Sequence, residues 1–249
     1  MSGHVIRPIP LFKVENVPPY LMTYLLGFLP PHNMGFYVWY IEGPERKILV
    51  DAGGTLEGMA LWFQFVATGS SGTPIQSIER GLSDVGVKPD DIDTVILTQL
   101  HTDHVELAGK FKNAKFVVQK SELDFALNPH PAAAAFYKKE LFDGLDFQIV
   151  DGDEEIIDGV RVLLTPGHTT GGQSVAVETN SGTAVITGFC CVGQNFEPPE
   201  MLAEMTPILT PGIHQNALQL FDSMLKIKET ADIIVPLHES EYVEVERIS

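Results

Sequence analysis

The sequence predicts a mixed α/β fold, and three observations predict it. Short, β-branched apolar runs recur along the whole chain, segments with apolar residues three and four apart separate some of them, and several runs stop abruptly at glycines or at groups able to hold a metal. The first two patterns mark buried strands and amphipathic helices. The third marks strand ends, where loops on a rigid sheet carry function. With 249 residues, 44% of them hydrophobic, the chain can bury a large core, and a single domain over 1–249 is expected.

Val5 to Val14 and Phe36 to Ile41 read as strands. Between them lies Pro18 to Pro31, an apolar segment bracketed by prolines, whose ends can continue neither a helix nor a strand. It suits an apolar flap over a substrate, or a helix packed on the core or a dimer contact. Lys47 to Val50 is a further strand, ended by Asp51-Ala52-Gly53-Gly54, where glycine lets the backbone turn sharply. Thr73 to Gly86 carries Ile75, Ile78, Leu82 and Val85 at helical spacing.

Asp93 to Leu97 is short, β-branched and apolar, and it runs into Gln99-Leu100-His101-Thr102-Asp103-His104. Imidazole nitrogen and carboxylate oxygen are ligands for zinc and similar cations, so this strand end is a candidate metal site; a polar, solvated turn is the alternative. Lys115 to Gln119 is a strand, and Ser121 is a candidate cap for a helix running to Leu127. His130 follows in a loop and reads as solvated.

Strands are expected at Phe147 to Val150, Ile156-Ile157 and Val160 to Leu164. The last runs through Thr165-Pro166-Gly167 to His168, again a histidine on a glycine turn after a strand. Ser174 to Glu178 and Thr183 to Thr187 form a strand pair that ends at Gly188-Phe189-Cys190-Cys191. Asn216 to Lys226 reads as an amphipathic helix, and Ile233 to Leu237 is a strand that stops at His238.

The formal net charge of −17 makes nucleic acid or an anionic membrane a poor partner, since both require clustered Lys and Arg. The only cysteines are the neighbours Cys190 and Cys191, which imply no disulfide framework. With no secretory leader and no apolar stretch of membrane-spanning length, a cytoplasmic location is expected.

These segments carry a resemblance. Ile48 to Gly53, Leu97 to His104, Leu164 to Thr169, Gly172 to Val175, Thr187-Gly188 and Leu237-His238, in this order, resemble the metallo-β-lactamase superfamily, and most of all its lactonase-like hydrolases, which include enzymes opening N-acyl homoserine lactones. The resemblance implies an αββα four-layer sandwich with metals at one edge, one or two zinc ions (iron or manganese being the other cations to consider), a small-molecule substrate and a homodimer. By position, His101 and His168 match ligands of the superfamily's first metal, and Asp103, His104 and His238 match ligands of its second.

The sequence departs from that pattern twice. Gln99 stands where the first histidine should be, and Phe189 stands where a bridging aspartate should follow Gly188. The second site is therefore expected to be the better retained, with Cys190 (or Cys191) a candidate replacement for the missing carboxylate. The implied activity is metal-assisted hydrolysis of a small, apolar ester, lactone or thioester by a metal-activated water, which Asp103 orients. The alternative is a non-hydrolytic or degenerate relative that binds a metal or ligand in a sensor or redox role. Tyr20 to Phe28, Trp62-Phe63 and Phe196 are the expected apolar surroundings of the substrate.

Overall fold

The computed structural model describes residues 3–43 and 46–249. Twelve strands form two sheets among the described residues: β1 (Val5–Val17), β2 (His32–Glu42), β3 (Ile48–Val50), β4 (Ser71–Pro74), β5 (Thr94–Ile96), β6 (Lys115–Gln119) and β7 (Phe147–Val150) in one, β8 (Glu154–Ile157), β9 (Val160–Leu164), β10 (Gln173–Thr179), β11 (Gly182–Ile186) and β12 (Ile233–Val235) in the other. The first sheet has the order β4-β1-β2-β3-β5-β6-β7 and the second β12-β11-β10-β9-β8.

Alternation along each strand explains the layering, because successive side chains of a strand point to opposite faces. In β2, Tyr37, Trp39 and Ile41 join one core while Phe36, Val38 and Tyr40 join another. Val175 and Val177 of β10 meet the Trp39 core, whereas Ala176 faces the opposite way. The Trp39 core draws on both sheets and is the seam between them. The second core covers the outer face of the first sheet with Ile78 and Leu82 of a helix; the third covers the outer face of the second sheet with Leu220, Met224 and Ile227 of another. The result is the expected αββα sandwich. Strands buried on both faces read as unbroken apolar runs, which is why they stood out in the sequence.

Eight α-helices lie among the described residues: α1 (Pro19–Met22), α2 (Ala60–Phe65), α3 (Ile78–Asp84), α4 (Thr102–Val105), α5 (Lys120–Leu127), α6 (Gly193–Phe196), α7 (Glu200–Ala203) and α8 (Ala217–Thr230). Asn216 caps α8 by accepting from the N–H groups of Leu218 and Gln219. Two expectations are corrected. The helix expected over Thr73 to Gly86 is split: Ser71–Pro74 pairs with β1, and α3 begins only after Ser77, whose hydroxyl accepts from Arg80 N–H. Ser121 does not cap α5, which starts at Lys120 without a side-chain cap, because the preceding Gln119 side chain is engaged with Gly152 and Gln173.

The Pro18 to Pro31 segment divides its roles. Leu21 and Met22 are buried in the second core, while Tyr20, Tyr24, Leu25 and Phe28 are exposed. No described helix is long and apolar enough to cross a membrane.

Candidate metal centre

The carboxyl ends of β3, β5, β9, β11 and β12 open at one edge of the sandwich, and the candidate ligands lie in the loops that follow them. Contacts across the sheets fix this edge. Gln173 N–H donates to Thr98 O at 2.9 Å, and its side-chain amide donates to Leu97 O at 2.8 Å, tying the end of β5 to the start of β10. Gly54 lets α4 approach, since a Cβ there would lie 2.7 Å from Asp103 Cα. Gly167, at φ +128°, allows the turn that carries His168, where a Cβ would lie 2.3 Å from Leu220 N.

Asp103, His104 and His238 place one ligand atom each within 4.8 Å of the others. Each of three histidines is held from behind through Nδ1. His104 Nδ1 donates to Asp51 Oδ2 at 2.7 Å, His238 Nδ1 to Gly35 O at 3.0 Å and His168 Nδ1 to Ile213 O at 2.7 Å. These partners fix the tautomer and turn the Nε2 lone pair inward, as the supporting groups of metal-bound histidines do. His101 packs against His168, ring centroids 5.1 Å apart, and its buried Nε2 has no hydrogen-bond partner. A buried polar atom without a partner calls for a physical account, and this one faces the same cavity as Asp103, His104 and His238.

Electrostatics divide the histidines. Burial pushes His168 and His238 down to about 4, and burial together with His168 holds His101 well below its ordinary value. All three are neutral imidazoles, the metal-binding form, at physiological pH. Burial would lower His104 too, but Asp103 and Asp51 outweigh it and raise it to about 10. Burial would raise Asp103, yet His104, 3.1 Å away, holds it well below the carboxylate range. Both groups line the same cavity, so a divalent cation there would meet a carboxylate oxygen and an imidazole nitrogen together.

The donors floor a small cavity of about 40 Å³ walled by Met34, Phe36, Met59, Trp62, Phe136 and Ile213. Two larger clefts flank it. One, of about 290 Å³, is apolar, with Met59, Trp62, Val66 and Phe136; the other, of about 510 Å³, includes Phe125, His130, His214 and Gln215. His101 and Phe136 line all three.

Sequence and fold converge with known proteins at this point. The family model of the metallo-beta-lactamase superfamily matches residues 37–236. The chain belongs to this superfamily. An N-acyl homoserine lactonase (AiiA) of Bacillus thuringiensis subsp. kurstaki is 31% identical over 188 residues, covering 71% of this chain and 72% of the relative. Among solved structures, an N-acyl homoserine lactone hydrolase with the product N-hexanoyl-L-homoserine at its catalytic metal centre superposes with a TM-score of 0.76 at 27% identity, covering 98% of this chain and 96% of that one. A B. thuringiensis AiiA variant with N-decanoyl-L-homoserine at its active site gives 0.77 at 26%, with 98% and 96% covered.

In this superfamily member, Gln99 is fully buried and its side-chain nitrogen lies 3.0 Å from His104 Nε2. Phe189 faces away from the site, into the third core beside Phe196, and Phe196, expected among the apolar surroundings of the substrate, does not line the cavity. Cys190 is the residue of that turn that lines it. Cys191 is turned aside, 3.1 Å from the Thr187 hydroxyl. Burial and Asp103 push the Cys190 thiol well above its ordinary value, and burial pushes Cys191 up to about 12. Of the expected apolar surroundings, Trp62 lines the cavity and Tyr20 to Phe28 does not, although Tyr24 packs edge-on against His214.

Sequence reasoning passed over Asp51, a left-handed residue at φ +63° whose carboxylate also accepts from Thr98 N–H and O–H. Its signal was an aspartate between a strand and glycines. His130, read as solvated, is exposed, on the lining of the larger cleft.

Proposed function

We propose that this protein is a metal-dependent hydrolase that opens a small, apolar lactone or ester. Asp103, His104 and His238 would hold the tighter cation with Cys190 beside them, and His101 and His168 would face a weaker one. The observation that carries this reading is the convergence of Asp103, His104 and His238 within 4.8 Å, with His104, His238 and the nearby His168 each fixed from behind by an acceptor at Nδ1. Mixed imidazole, carboxylate and thiol donors suit zinc, with iron and manganese the other cations to test. When bound, such a cation supplies a water activated near neutral pH and polarises the carbonyl under attack.

The chain's own residues do the rest. Asp103 orients the attacking water and passes a proton to the leaving oxygen. Met34, Met59, Trp62 and Phe136 exclude bulk water and receive an apolar acyl group, and the clefts on either side leave room for both arms of the substrate. The names of the relatives support a lactone as the first substrate class to try. Two free, buried thiols fit a reducing, cytoplasmic setting.

Metal analysis of protein purified without chelator, followed by a panel of N-acyl homoserine lactones, aryl esters and thioesters, tests this. Absence of bound metal, with none taken up from zinc, iron or manganese, overturns it. Gln99 beside His104 favours a second reading, a metal- or ligand-binding protein without turnover, in a sensor or redox role. Metal uptake with no hydrolysis across the panel supports that alternative.

A further inference from the structure

Glu122 is a carboxylate with no exposed surface, on the buried side of α5, and the proposed chemistry makes no use of it. Burying a carboxylate is costly unless hydrogen bonds compensate, and here the compensation comes from two loops that belong to different sheets. Leu100 N–H, immediately before His101, donates to Oε1 at 3.0 Å. Gly171 N–H, in the turn that carries His168, donates to Oε2 at 3.0 Å. The Tyr137 hydroxyl donates to Oε1 at 3.3 Å, and the Tyr137 ring meets the His101 ring edge to face with centroids 4.8 Å apart.

We propose that Glu122 is a positioning residue that latches the His101 loop to the His168 loop and sets the separation of the two imidazoles. Packing around the latch is tight, since a Cβ on Gly171 would lie 2.2 Å from Glu122 N, so the His168 turn is pressed directly onto α5. An apolar residue would pack α5 equally well but would hold neither loop. The latch is also selective. His104 and His238 are anchored by Asp51 and Gly35, and Glu122 bonds to neither anchor.

This inference rests on the reading that His101 and His168 share a cation, and the test separates the two. Metal-free wild type and Glu122→Gln are titrated with Co2+, following its visible absorption, with thermal unfolding measured on the same samples. Gln keeps the shape but sets an NH2 against one of the two N–H donors. Wild type is expected to take one tight and one weak equivalent. Glu122→Gln is expected to keep the tight one unchanged and to bind the weak one about tenfold or more less well, the usual cost of removing a group that supports a ligand.

Equal weakening of both equivalents, tracking a loss of thermal stability, would mean a merely structural role and overturns the latch. So does a variant that binds both as wild type does, or a wild type that binds only the tight equivalent. A wild type that binds no Co2+ overturns instead the functional reading beneath. Should Glu122→Gln fail to fold, Tyr137→Phe removes the hydroxyl that donates to Glu122 and accepts from Gln215, and keeps the ring. It is expected to weaken the same equivalent by a smaller factor, and an unchanged weak equivalent counts against the latch.

Discussion

Asp103, His104 and His238 differ from His101 and His168 in what surrounds them. The first three converge within 4.8 Å, include a carboxylate, and have an acceptor behind each imidazole, whereas of the second two only His168 has one. The second two form a pair of neutral rings; their neighbour at position 99 is an amide turned toward His104, and their neighbour at 189 is a phenyl ring turned into the core. Two half-sites that share one cavity have therefore been kept to different degrees. The difference teaches that donors sharing one cavity are not equivalent, because only the first group combines a carboxylate with two imidazoles fixed at Nδ1.

Asp103→Ala or His238→Ala gives the largest expected effect: hydrolysis falls to background and the tight metal equivalent disappears from the metal count. Activity that survives both replacements would erase the distinction between the halves. Phe189→Asp comes next. Because that side chain lies in a dry core, the new carboxylate would not reach the cavity, and a stability loss of about 3–5 kcal/mol is expected by denaturant unfolding. Cys190→Asp, whose side chain would face the donors, should tighten metal binding and lose much less; the reverse ranking would mean that residue 189, not 190, faces the cavity.

Asp51→Asn leaves His104 without its charged anchor, and about 10- to 100-fold weaker metal binding at the tight equivalent is expected in a competition titration with a chelator. Gln99→His adds a third imidazole to the weak half and should raise its affinity while leaving the tight equivalent in place; a titration showing no change would place residue 99 outside that half. The smallest effect concerns pH. Burial holds Glu122 above its ordinary 4.5, despite the hydrogen bonds that lower it. The folded chain therefore keeps this proton more tightly than the unfolded one. Its contribution to stability is full below pH 4.5 and is lost as pH rises through the folded value. Glu122→Gln should flatten that segment of the stability-versus-pH curve.

Much of this was legible in the sequence. β-branched runs buried on both faces gave β5, β6, β10 and β11 their places, and a histidine or an aspartate directly after a strand marked His101, Asp103, His104, His168 and His238, because period and strand-end chemistry are local properties. Tertiary structure alone decided the remainder. The sequence left Cys190 and Cys191 both open as the residue facing the cavity, and only packing sends Phe189 to the helices, Cys190 to the cavity and Cys191 to Thr187.

Glu122 and Asp51 carried no periodic signal strong enough to name their partners, since each bonds residues that lie far from it in the chain. A hydrogen bond across that distance exists only after the strands have paired. The sequence thus determined which donors stand at the strand ends, and the sandwich determined which of them meet, which are held, and which face away.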